Sequence, residues 1–137
     1  MNWMRRIAIV QKLDCFGFQH NDGEPGPGTI DTLYAIAEAR SEPWGVLFTN
    51  YDVCCVFNVE AVKAVGEWDW LRFPFYFLDN DYYRRLEEAG YPCVQTGLPC
   101  AHHNDASNTI KANETRRLVN SHFFPVCEQL YKVKWNE

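Results

Sequence analysis

Two carboxylates, two residues apart, open the best-marked helix in this sequence, and any chemistry the chain could do starts with them. Across residues 75–91, Asp79 stands where an N-cap would accept a bond from a free first-turn N–H, and Gly90 stands where a left-handed residue would end the helix. Between them Tyr82, Leu86 and Ala89 recur at helical spacing, and Arg84 can pair with Glu88 one turn on. A helix turns about 100° per residue, so Asp79 and Asp81 do not face the same cleft. Asp81 has Arg85 four residues on as a structural partner, whereas Asp79 has no local cation and is free to face a ligand. Capping alone also accounts for acids at a helix start, and from the local sequence that alternative stays open.

Two further groups could join Asp79. Asp22 follows a strand end in His20-Asn21-Asp22-Gly23, and His102-His103 lie in a later loop with Asp105, Ser107 and Thr109. A carboxylate and an imidazole from separate loops suit a borderline divalent ion such as Mn²⁺, with diphosphate oxygens completing its shell. Each also has a plainer reading. Asp22 stands before a Gly/Pro turn and could simply make an Asx turn, and a His pair in a loop is often just solvated.

The elements that must position these groups read as an alternation of strands and helices. A buried strand is expected over 5–11, a second over 15–19, then an irregular Gly/Pro segment at 23–28. Thr29 is the expected N-cap of a helix over 30–39, with Ile30, Leu33 and Ala37 on its buried stripe. Strands over 45–49 and 53–57 follow, then a short helix capped by Asn58 and stopped by Gly66. Residues 68–77 form an aromatic loop, 93–96 a short strand, 97–108 a loop, and the tail from 113 a helix interrupted near Pro125. The expected fold is α/β: a single domain over 1–137, with a mixed sheet flanked by helices.

Composition narrows the function. The 137 residues suit one domain, and 47% hydrophobic, 15% aromatic and 23% charged residues fit a folded globular chain. A net charge of −5 without long Lys/Arg runs argues against a broad nucleic-acid footprint. The only early apolar run, residues 7–10, is too short for a signal or a membrane span, so the chain reads as cytoplasmic. The six cysteines then read as reduced thiols, and none forms the Cys-x-x-Cys pair of a structural zinc knuckle.

The motifs, taken in order, resemble a known family. Val65-Gly66-Glu67-Trp68-Asp69, then Tyr76-Phe77-Leu78-Asp79-Asn80-Asp81 with Arg85 and Gly90-Tyr91, then His102/His103 with Ser107 and Thr109, are similar to the C-terminal half of inverting family 2 glycosyltransferases of the A-type fold. Upstream, His20-Asn21-Asp22 resembles the metal-binding Asp-x-Asp motif, 27–33 resembles the helix after it, and 131–135 resembles the closing motif of some members. The resemblance covers roughly residues 15 to 135.

It implies metal-dependent transfer of a hexosyl group, with inversion, from a nucleotide-diphosphate sugar to an acceptor hydroxyl on a glycan or other molecule. Asp79 would be the general base; Asp22 with His102 or His103 would hold Mn²⁺ or Mg²⁺. Asn21, Trp68, Asp69 and Asp81 would lie toward substrate, and Arg85 would support the helix mouth. Leu78 stands where the family has an acid, and only about twenty residues precede Asp22, where the family normally places its nucleotide-binding half. The resemblance therefore implies a truncated A-type fold. Two alternatives accompany it: a non-catalytic carbohydrate- or protein-binding module, and a homodimer in which a second copy supplies the missing wall.

Overall fold

The computed structural model describes residues 1–50, 52–103 and 113–137. In chain order its elements are α1 (Asn2–Val10), β1 (Cys15–Gln19), β2 (Gly23–Pro25), α2 (Thr29–Ala39), β3 (Val46–Phe48), β4 (Cys54–Asn58), α3 (Val59–Val65), α4 (Leu78–Glu88), β5 (Cys93–Gln95), β6 (Cys100–His102) and α5 (Glu114–Trp135). Strand β4 lies at the centre because its side chains are buried on both faces. β1 and β3 flank it antiparallel, and β5 joins β3 in parallel, giving a mixed sheet in the order β1-β4-β3-β5.

The period of two along a strand sorts the core into two layers. Phe16, Val46, Phe48, Cys55 and Phe57 face α1, α3 and α4, while Leu47, Cys54 and Val56 face Leu33 and Ala37 of α2. Helices therefore cover both faces of the sheet, as the alternating pattern implied. A separate ribbon pairs β2 with β6, Gly23 opposite His102. All six cysteines are free thiols. Among the described residues no helix is long and apolar enough to cross a membrane.

Several local signals read as expected. The Asn58 side chain accepts from the N–H groups of Glu60 and Ala61 at 2.9 and 3.3 Å, capping α3. Gly90 takes a left-handed φ of 83° after α4, which lets the Tyr91 N–H reach back to the Leu86 carbonyl at 2.9 Å.

Other expectations are corrected. Residues 5–11 lie largely in α1, because a four-residue apolar run cannot display a period and the packing that chooses a helix comes from Met1, Met4, Ala8 and Ile9 together. The segment 23–28 contains β2, a three-residue strand of a two-stranded ribbon, where Pro25 costs no central ladder bond. The 97–108 segment contributes β6 to that ribbon. Gly28, left-handed, caps α2, and the Thr29 hydroxyl instead donates to the Pro99 carbonyl at 3.0 Å. Phe77, with φ 63°, occupies the cap position of α4, so Asp79 sits inside the first turn. α5 runs through Pro125 without a break. Asp105, Ser107, Thr109 and the rest of 104–112 lie outside the described residues.

Candidate metal and carboxylate site

Backbone pairing builds the site before any side chain is placed. The β1–β4 ladder continues one residue past β1, the His20 N–H donating to the Val53 carbonyl at 2.7 Å, and the Gly23 N–H then closes a turn onto the His20 carbonyl at 3.1 Å. That turn delivers the chain to β2, whose pairing with β6 sets Asp22 beside the following strand; the His103 N–H donates to the Asp22 carbonyl at 2.9 Å. His102 Nε2 consequently lies 3.3 Å from Asp22 Oδ1, with both side chains largely shielded. The His20 ring meets the His102 ring edge-on at 6.1 Å and is itself braced edge-on by Phe18 at 5.2 Å.

One ligand atom from each of His20, Asp22 and His102 falls within 4.8 Å of the other two. That separation is near what ligands sharing one divalent ion require. His103 is placed differently: its Nε2 lies 2.8 Å from Glu24 Oε2 in an exposed pair outside the cluster.

Asp79 comes from a separate element, α4. The left-handed turn at Phe77 starts α4, and Asp79 in its first turn is partly buried, its carboxylate accepting no hydrogen bond among the described residues. Asp52, from the β3–β4 connection, links it electrostatically to the metal-type cluster. Burial first, and then the Asp79 carboxylate, push the Asp52 carboxyl above its usual range, while His20 and His102 pull it back. The Tyr83 hydroxyl, raised mainly by burial and then by Cys55, Asp52 and Asp79, stays protonated beside them.

The remaining residues named from sequence have other surroundings. Asn21 is exposed. Trp68 is buried at 3% exposure, stacked on Tyr82 with centroids 3.5 Å apart, and its backbone N–H donates to Asn2 Oδ1 at 2.7 Å. Asp69 accepts from the Arg72 N–H at 3.2 Å and lies 3.6 Å from Lys134 Nζ. Asp81 is fully buried: Arg85 Nε donates to Oδ2 at 3.0 Å, while Trp135 Nε1 donates to Oδ1 at 3.1 Å and Lys134 Nζ approaches it at 2.6 Å. Arg85 also donates to the carbonyls of Val65 and Glu67, tying α4 to the end of α3.

Two members of the site, His20 and Asp52, were not singled out from sequence. His20 carried a signal, since it is two residues before Asp22 across a strand end. Asp52 carried none, because only the β1–β4 register brings its neighbour Val53 opposite His20. No protein-family model, curated protein or solved structure matches this chain, so the functional reading rests on the sequence motifs and the geometry.

Proposed function

We propose that this chain is a glycosyltransferase-like protein that moves a sugar from a nucleotide-diphosphate donor to an acceptor hydroxyl with inversion. The observation that carries this reading is the His20–Asp22–His102 cluster, one carboxylate and two imidazoles whose ligand atoms lie within 4.8 Å of one another, with Asp79 unbonded at the mouth of α4 and acting, like His20 and His102, on the charge of Asp52. The mixed sheet with helices on both faces is compatible with the acceptor half of an A-type fold.

A donor set of one carboxylate and two imidazoles fits Mn²⁺ better than Mg²⁺, which prefers oxygen ligands. His20, Asp22 and His102 would hold the ion, which when bound supplies positive charge to the departing diphosphate. Asp79 takes the acceptor hydroxyl proton as that oxygen bonds to the anomeric carbon and the bond from that carbon to the diphosphate breaks. Tyr83, neutral beside Asp52 and Asp79, adds no third negative charge where a diphosphate must approach.

Titration calorimetry of Mn²⁺ with UDP and GDP sugars tests the reading. Binding that needs Mn²⁺ and disappears in Asp22→Ala and His20→Ala is the expected result; heat-silent titrations, or binding indifferent to both substitutions, would sink it. A second reading, a glycan-binding module without catalysis, is favoured by one observation: Trp70 and Phe75 of the aromatic loop are 58% and 53% exposed. Aromatic faces of that kind stack on sugar rings. It predicts glycan binding lost in Trp70→Ala and unaffected by a chelator.

A further inference from the structure

Helical spacing turns Trp3 outward. Met1, Met4 and Ala8 of the first helical stretch pack into the core, so Trp3, on the opposite face of α1, is left 72% exposed. The loop after α3 lies beside it. Asn2 pairs both ways with the Trp68 backbone, its Nδ2 donating to the carbonyl at 3.0 Å and its Oδ1 accepting from the N–H at 2.7 Å, and Arg6 Nη2 reaches Glu67 Oε1 at 2.6 Å. The Trp70 N–H turns back to the Trp68 carbonyl at 2.9 Å; Trp68 stacks inward on Tyr82, and Trp70 stands 58% exposed.

Two open hollows meet at Trp68 and Trp70. One, of about 350 Å³, has Trp3, Asn2 and Arg6 on its far wall, and the other, of about 340 Å³, has Glu67, Asp69, Arg85 and Lys134. Each falls at the small end of the roughly 300–1,000 Å³ typical of ligand sites. Together they make a groove with an indole on either side of one hollow and charged groups along the other. Those charges are already matched: Arg6 holds Glu67, Arg85 holds Asp81 at 3.0 Å, and Lys134 lies 3.6 Å from Asp69 and 2.6 Å from Asp81. Neither hollow is lined by His20, Asp22 or His102.

We propose that this groove binds a neutral glycan of at least two sugar rings, one between Trp3 and Trp70 and the next between Trp70 and the wall of Arg85 and Lys134. The ligand class follows from the chemistry of the walls. An anion such as a phosphate would have to draw Arg6 or Lys134 away from a carboxylate, and a cation would have to do the reverse, so a charged ligand gains little. A hydroxyl both donates and accepts, and can therefore bond to the carboxylate and the cation of one pair without separating them. The C–H face of a sugar ring lies flat on an indole, while its hydroxyls reach sideways to such pairs. A wholly apolar ligand would leave those charges dry and unbonded. The two-way Asn2 clasp fixes α1 against the loop, which holds Trp3 and Trp70 at a set spacing before any ligand arrives. The proposal rests on the glycan-binding reading above and gives it a site: of the exposed aromatics named there Trp70 belongs to the groove, whereas Phe75 lines neither hollow and packs on Phe123 at 4.5 Å. It holds whether or not the chain transfers sugar.

Titration calorimetry of the full chain with neutral gluco-, manno-, xylo- and chito-oligosaccharides, in the presence of EDTA, tests this. For at least one series the affinity should rise about tenfold or more from the monosaccharide to its short oligomers, as the second hollow is filled. Trp3→Ala and Trp70→Ala should each weaken binding about tenfold or more while keeping the melting transition, since both rings stand in solvent. Trp70→Phe should restore most of the loss, and about 0.5 M salt should leave the affinity unchanged because no net charge is neutralised. Silence with every neutral series overturns the proposal. So does tighter, salt-sensitive binding of sulfated or uronic-acid oligosaccharides. Glycan binding that survives both Trp3→Ala and Trp70→Ala, or that is lost in Phe75→Ala alone, overturns this site and leaves the glycan-binding reading standing; the Mn²⁺ titrations with nucleotide sugars judge the transferase reading separately.

Discussion

Asp79 and Asp81 are the same residue type on the same turn of α4, yet they do opposite things. About 200° of helix separates them, enough to turn one toward the sheet end and the other into the body. Asp81 is fully enclosed, with Arg85 from its own helix and Lys134 and Trp135 from the far end of α5 on its two oxygens. Asp79, partly buried, accepts nothing among the described residues, and its charge helps to raise the Asp52 carboxyl. A buried charge is tolerated when donors satisfy it, and a carboxylate without donors from the chain keeps its lone pairs open to a ligand. One aspartate holds the C-terminal helix to the core; the other is the proposed base.

Substitutions should separate the two sharply. Asp79→Asn is expected to slow sugar transfer by about 10² to 10⁴, measured in single turnover, with urea stability unchanged within about 0.5 kcal/mol. A stability loss as large as that of an Asp81 variant would erase the distinction between them. Asp81→Ala should cost about 3–5 kcal/mol in urea unfolding, because Lys134 and Arg85 lose their buried counter-charge; a cost below 1 kcal/mol would mean the clasp holds little. Trp135→Phe keeps the ring and deletes one donor to Asp81, so about 1 kcal/mol is expected. The smallest effect is at Asp52.

Its carboxyl is raised in the folded protein, so the folded state binds that proton more tightly than the unfolded chain does. Its favourable contribution is therefore complete below the unfolded pKa and is lost as pH rises through the folded one. Asp52→Asn should be more stable than the parent at neutral pH, with the gap closing in acid. Paired urea midpoints across that pH range check the sign, and a variant less stable at neutral pH would contradict it.

Much of α4 was legible because its signals are local. The i,i+4 pair of Asp81 with Arg85, the pair of Arg84 with Glu88 at 3.6 Å, and the left-handed Gly90 each depend on residues within a turn or two. The same holds for the Asn58 cap and for the apolar run that became β4. The nature of 5–11 was not legible, since its periodicity emerges only with Met1 and Met4 included and with α3 and the sheet to pack against. Nor was the cap of α4, where the left-handed Phe77 rests on Phe124 and Tyr131 of a helix far along the chain, at centroid distances of 5.3 and 5.4 Å.

The sequence by itself determined that two aspartates would open a short helix ending at Gly90, and it offered an Asp after a strand end and a His pair in a later segment as groups that could join them. Spacing alone settles such matters, because helix periodicity and turn chemistry act over a few residues. Only the tertiary structure decided which aspartate is enclosed, that His102 and not His103 meets Asp22, and that His20 and Asp52 join them. Those outcomes depend on strand register and on a helix that returns 54 residues later to Asp81. Burial and electrostatic coupling are set by what surrounds a residue in space, and no local pattern encodes that.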